Sequence, residues 1–157
     1  MTIIYGGSST GKSKAALDIV SEFKETSLYI LTERDNRLIQ RLKAEKIDFK
    51  VALECFLMDV KYACLEKGGV VANSLDYCVV DCINMTSDKK AYFEKIRYLM
   101  EVEKDFGLEI IATFNTLTSS KKGVAEFLLK DALVDLDSDA EKITFVNAKS
   151  ILYQRAS

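Results

Sequence analysis

The 157-residue chain contains no histidine. That absence excludes a Ser-His-Asp or Cys-His nucleophile, a phosphohistidine intermediate and an imidazole general base. Any chemistry must run on carboxylates, lysine, hydroxyls and metal-bound nucleotide. Proline is missing too, so helix ends have to be set by glycine and by polar caps. No apolar run approaches the roughly 20 residues that span a bilayer. A glycine-rich loop already begins at Gly6, which leaves no room for a signal peptide. The expectation is a cytoplasmic protein with no membrane contact. Cysteines are few: Cys55, Cys64, Cys78 and Cys82 form no C-x-x-C pair, and without histidine the usual zinc spacings are absent. They are expected to be reduced and mostly buried, with Cys78 and Cys82 beside a buried strand acting as small hydrophobes. Net charge is −2, so the chain as a whole carries no basic footprint for nucleic acid.

What is present is an ordinary globular balance, 48% hydrophobic and 29% charged residues. The length suits a single domain over residues 1–157, large enough to bury roughly 70% of its unfolded surface. Apolar runs of strand length alternate with helical patterns. Thr2–Tyr5 is a short β run. Ala15, Ala16, Ile19, Val20 and Phe23 form a 3.6-residue stripe that predicts a helix over 12–23. "SLYILT" (27–32) is a second strand, followed by helices over 36–46 and 52–66. "DYCVVDCI" (76–83) is a third strand, continuous in its hydrophobicity and so buried on both faces. A long helix over 88–106, capped near Ser87 or Asp88 and ended by Gly107, leads to a fourth strand, "LEIIATF" (108–114). A polar loop, a helix around 124–129 and a tail reading as an antiparallel hairpin at the sheet edge complete the chain. Strand–helix alternation implies a mostly parallel sheet with helices on both faces, a three-layer α/β/α arrangement with ligands beyond the carboxyl ends of the strands.

At that edge falls "GGSSTGKS", Gly6 to Ser13, which fits G-x-x-x-x-G-K-[ST] at all four fixed positions. In such a Walker A loop the glycines let backbone N–H groups turn inward on a phosphate at the positive end of the following helix. The nucleotide-binding set is therefore Gly6, Gly7, Ser8, Ser9, Thr10, Gly11, Lys12 and Ser13. Lys12 would bridge the β- and γ-phosphates, and the Ser13 hydroxyl would sit on Mg²⁺. Asp81, closing the run Tyr77-Cys78-Val79-Val80, stands where a Walker B carboxylate holds the metal directly or through water; its alternative is a turn cap. Cys82 follows it, so the second acid of many ATPases is missing and the base must come from elsewhere. Glu33, after the second strand, is placed to polarise an attacking water, or else pairs with Arg37 on the surface. Asn115, ending the fourth strand, is a candidate γ-phosphate sensor or an Asx-turn residue.

In this order "GGSSTGKS", "LYILTERDNRLIQRLKAEK", "YCVVDC", "IIATFNT" and "DALVDLDSDAEKITFVNAK" resemble the RecA-like ATPase core of recombinases and hexameric helicases. The resemblance implies ATP and Mg²⁺ as cofactors, Glu33 as general base, Asp81 on the metal and Asn115 as sensor where many members have glutamine. It assigns two loops to polymer binding. One holds Lys89 and Lys90 and the other Lys121 and Lys122, which would neutralise phosphates of single-stranded DNA. The bland reading of both is a solvated loop tip. Neither loop contains an aromatic for base stacking. Lys149 is the one residue that matches the family's basic finger toward a neighbouring subunit. The family's subunit-bridging element precedes the first strand, so the implied partners are a homo-oligomer assembled differently or a larger partner ATPase.

The leading expectation is thus Mg-dependent ATP hydrolysis coupled to DNA recombination, repair or replication. Two others stand beside it. "GGSSTGKSKAAL" and "YCVVDCIN" also look like the cobinamide kinase/guanylyltransferase family, whose guanylyltransferase step needs the missing histidine. A nucleotide-binding regulatory module docked on a partner ATPase would suit the missing second acid.

Overall fold

Among the described residues, short apolar runs flanked by helical stripes become six strands and four helices of at least 9 residues. A computed structural model of the chain describes residues 1–68, 74–84, 88–115 and 143–151. The elements are β1 (Thr2–Gly6), α1 (Lys12–Val20), β2 (Ser27–Leu31), α2 (Asn36–Ala44), β3 (Asp48–Val51) and α3 (Phe56–Gly68). They continue with β4 (Tyr77–Asn84), α4 (Lys89–Phe106), β5 (Glu109–Asn115) and β6 (Thr144–Asn147). The sheet order is β3-β2-β4-β5-β1-β6, and every pairing is parallel.

Side-chain alternation divides the apolar residues between two layers. On one face Ile3, Ile30, Val80 and Phe114 pack against Val60 and Cys64 of α3 and Ile96 and Leu99 of α4. On the other, Ile4, Tyr29, Val79 and Ile111 pack against Ala15, Ala16 and Val20 of α1 and Leu38 and Leu42 of α2. The expected three-layer α/β/α architecture and mostly parallel sheet are therefore found.

Helix ends follow the caps that a proline-free chain requires. The Asp35 carboxylate accepts from the N–H groups of Arg37 and Leu38 at the start of α2, and Asp88 accepts from Ala91 at the start of α4. Gly107 closes α4 with φ 61°, a left-handed conformation that glycine adopts without steric cost.

The structure corrects several expectations. Strand β3 was not anticipated: "DFKV" is short, polar at alternate positions and paired to β2 alone, which makes it an edge strand with little hydrophobic signal. The helix expected from Ala52 starts at Phe56, because the Ala52 N–H extends the edge pairing to the Leu31 carbonyl at 2.7 Å. The first helix stops at Val20, and a 3₁₀ turn covers Ser21–Thr26. The closing strand β6 joins β1 in parallel, so the described part of the tail is no antiparallel addition. The other arm of the expected hairpin and the helix around 124–129 lie outside the described residues. Cys64 and Cys78 are buried and Cys82 partly so, but Cys55 is exposed. No helix among the described residues is long and apolar enough to cross a membrane.

Candidate nucleotide site

Parallel register brings the carboxyl ends of β2, β4, β5 and β1 side by side. Gly6 of β1 lies opposite Asn115 of β5, and Asn115 lies opposite Asn84 of β4. On the far side of β4, Leu31 of β2 pairs with Asp81. Strand β5 thus separates the glycine-loop strand from the Asp81 strand. A cavity of about 380 Å³ opens there, lined by Ser8 through Lys14, Glu33, Asp81, Cys82 and Asn115. That volume is within the range of small-ligand pockets.

The loop is folded as a cradle. Gly11 has φ 86° and Ser9 φ 59°, two left-handed turns that curl the chain before α1. The Thr10 hydroxyl donates to the Gly7 carbonyl at 2.8 Å, and the Lys12 ammonium donates to the same oxygen at 2.6 Å. Lys12 is 6% exposed. Burial lowers its pKa, with Cys82 and Asp81 opposing that shift. A cation held with so little water is set to accept an anion.

Gly6 answers a separate constraint. A Cβ there would stand 2.6 Å from the Thr10 hydroxyl oxygen. Gly6→Ala is therefore expected to rotate Thr10 off the Gly7 carbonyl and weaken nucleotide affinity about tenfold, the equivalent of one hydrogen bond plus modest strain. Adding Thr10→Ala removes the clash, so the double variant should bind better than Gly6→Ala alone. Titration with a fluorescent ATP analogue measures both.

Asp81 is 5% exposed, and both of its oxygens are engaged. The Tyr29 hydroxyl donates to Oδ2 and the Thr113 hydroxyl to Oδ1, each at 2.7 Å. A register irregularity between Val80 and Ile83 gives β4 an extra residue at this point, and the Asp81–Cys82 peptide is cis. Thr32 ties the same segment to β2: its hydroxyl donates to the Cys82 carbonyl and accepts from the Cys82 N–H at 3.0 Å. Sequence reading missed Tyr29 and Thr113, since both sit inside apolar strands and read as core.

Glu33 and Asn115 come together through Asn84, the last residue of β4. The Asn84 Nδ2 donates to Glu33 Oε1 at 2.8 Å, and its Oδ1 accepts from Asn115 Nδ2 at 3.1 Å. Among the described residues no ion pair joins Glu33 to Arg37.

The lysine expectations fare differently. Lys89 and Lys90 lie in the first turn of α4 rather than in a loop, because Asp88 caps the helix just before them; Lys90 is exposed. The side chain of Lys89, and Lys121 and Lys122 entirely, lie outside the described residues. Lys149 is exposed and past the end of β6, in the helical residues 148–151, with its N–H donated to Asn147 Oδ1 at 3.0 Å. It is not a strand residue.

Cys82 supplies a probe of the cavity. Burial, reinforced by Asp81, pushes its thiol up to about 11. The thiolate, which is the reactive form, then makes up about a thousandth of the population at pH 8. Cys82 is expected to alkylate much more slowly than the exposed Cys55. Its rate should climb about tenfold per pH unit toward pH 11 and collapse when nucleotide fills the cavity. Peptide mapping after timed iodoacetamide treatment checks this.

No family model matches this sequence, and no curated protein is similar to it. Among solved structures, the chain is similar to the crystal structure of the RadB recombinase, at 17% sequence identity and a TM-score of 0.48. The match covers 77% of this chain and 64% of that chain, a little under two thirds of the RadB chain.

Proposed function

We propose that the chain, read as one domain over residues 1–157, is a RecA-like ATPase that hydrolyses ATP with Mg²⁺ and acts on single-stranded DNA in recombination, repair or replication. What carries this reading is a single arrangement: the cavity of about 380 Å³ is lined at once by the Gly-Lys-Ser loop, Asp81, Glu33 and Asn115. Loop N–H groups and Lys12 take the β- and γ-phosphates. The donor set for the metal is Ser13 and Asp81, hard oxygens of the kind Mg²⁺ takes. With each Asp81 oxygen already accepting a hydroxyl, the carboxylate suits a hold through metal-bound water. Held by those residues, Mg²⁺ would supply neutralisation of phosphate charge.

Glu33 accepts the proton of a water whose oxygen forms the new bond to the γ-phosphorus. The β–γ bridging bond breaks, and ADP leaves with that electron pair. Asn115 orients the transferred group. Lys90, Lys121 and Lys122, with Lys89, are candidates for the DNA phosphates, and Lys149 for a contact with a neighbouring copy or a larger partner ATPase.

The test is ATP turnover by the purified chain in Mg²⁺, with and without an oligothymidylate. A rate that rises on adding the oligonucleotide is the expected result. Turnover indifferent to DNA removes the recombinase-type reading and favours phosphoryl transfer to a small molecule. Binding without turnover favours the module that works through a partner ATPase.

A further inference from the structure

We propose that Asn84 is a positioning residue that joins the phosphate-facing Asn115 to the carboxylate of Glu33, so that the base is aimed through the end of the neighbouring strand. This rests on the reading of Glu33 as the base. The geometry is specific. Asn84 donates to Glu33 Oε1 at 2.8 Å and accepts from Asn115 Nδ2 at 3.1 Å.

A carboxamide satisfies both neighbours in one orientation only. Reversed, its oxygen would face a carboxylate oxygen and its NH₂ would face another NH₂. Aspartate has the same shape but cannot donate to Glu33. Strand register places the three links in a row, Gly6 opposite Asn115 and Asn115 opposite Asn84. Each link is held by a paired strand end except Glu33, which lies just beyond β2 and is exposed. That residue is the one most in need of an orienting partner. Asn115 donates one side-chain N–H to Asn84 and also lines the cavity. Lys12, Lys14, Asp35, Asp81 and Cys82 line the same cavity. None of them is recorded in a hydrogen bond or ion pair with Glu33 among the described residues.

The experiment uses the full chain with ATP and Mg²⁺, plus oligothymidylate where it stimulates. Asn84→Ala and Asn84→Asp are each expected to lower kcat about tenfold with KM unchanged within twofold. Asn84→Gln, which keeps donor and acceptor, should recover part of the loss. Asn115→Ala added to Asn84→Ala should cost less than the product of the single losses, as members of one chain of contacts do. An Asn84→Asp variant with wild-type kcat would falsify the proposal, since shape alone would then suffice.

A second readout needs no turnover. The Asn84 side-chain NH₂ signal in a ¹⁵N spectrum, identified by its loss in Asn84→Ala, should move in Glu33→Gln and in Asn115→Ala. A signal indifferent to both shows that the chain of contacts does not exist and overturns the proposal. Failure of the base reading looks different: Glu33→Gln would turn over ATP at the wild-type rate while the NH₂ signal still moved. That outcome also removes the positioning role.

Discussion

Lys12→Ala is expected to weaken nucleotide binding by about 30-fold or more while leaving the ligand-free chain folded. The ammonium is the one cation buried in the cradle among the described residues, 6% exposed, and it rests on the Gly7 carbonyl that the Thr10 hydroxyl also uses. On the proposed reading Lys12 would exchange that neutral acceptor for phosphate oxygens, a charge-assisted contact made by a largely buried ammonium. Removing one partner of such a pair costs about 2–5 kcal/mol, a loss of roughly 30- to several thousand-fold in affinity. The folded state loses little, since burial already disfavours the charge there, as the lowered Lys12 pKa records. Thermal unfolding separates these effects. At a ligand concentration of 100 Kd, binding stabilises the wild type by about 2.7 kcal/mol, a rise of about 5–10 °C at this chain length. At the same ATP and Mg²⁺ concentration, Lys12→Ala should keep at most about a third of that rise. A full rise would place the phosphates elsewhere.

Glu33→Gln carries the second large effect, confined to the chemical step. Glutamine keeps the length of the side chain and an oxygen able to accept from Asn84, so the strand-end contacts survive. It cannot take a proton from water. General-base assistance contributes about 10²- to 10⁴-fold, and kcat should fall by that much. The nucleotide dissociation constant should stay within about twofold, because in the proposed role Glu33 would meet the attacking water and not the phosphates. Single-turnover hydrolysis of radiolabelled ATP, beside equilibrium binding, measures the split. If more than a tenth of the wild-type rate remains, another group or bulk water takes the proton. A matching loss of binding would mean that Glu33 shapes the pocket.

The features legible in the sequence were those written in local spacing. The Gly-Lys-Ser loop is fixed by residues within one turn of chain. The runs of β2, β4 and β5 announce themselves because both faces are covered by helices. Gly107 and Asp88 mark the ends of α4 by their backbone preferences. What could not be read depends on contacts that exist only after the strands pair. Tyr29 and Asp81 lie 52 residues apart, Thr113 and Asp81 32, and Asn84 and Glu33 51. In "SLYIL" the tyrosine has the pattern of a core residue, and it is one, except that its hydroxyl reaches the carboxylate. Strand β3 escaped for a different reason: half-exposed and paired on one edge, it needs little apolar character. The direction of β6 shows only in its pairing with β1, which composition does not encode.

The strand order also fixes when the binding loop can come into being. Of the described strands β1 is synthesised before the others, yet its sheet neighbours are the last two: Thr2 pairs with Ile111 on one side and Thr144 on the other. A ribosome adding about 5–20 residues per second leaves β1 without either partner for many seconds. Its apolar Ile3 and Ile4 and its backbone donors stay unsatisfied through that interval. Pairings this distant in the chain are slow to close. The cradle is therefore a late product of folding. A nascent protein halted before β5 would carry the whole Gly-Lys-Ser sequence and neither of the strands that flank β1.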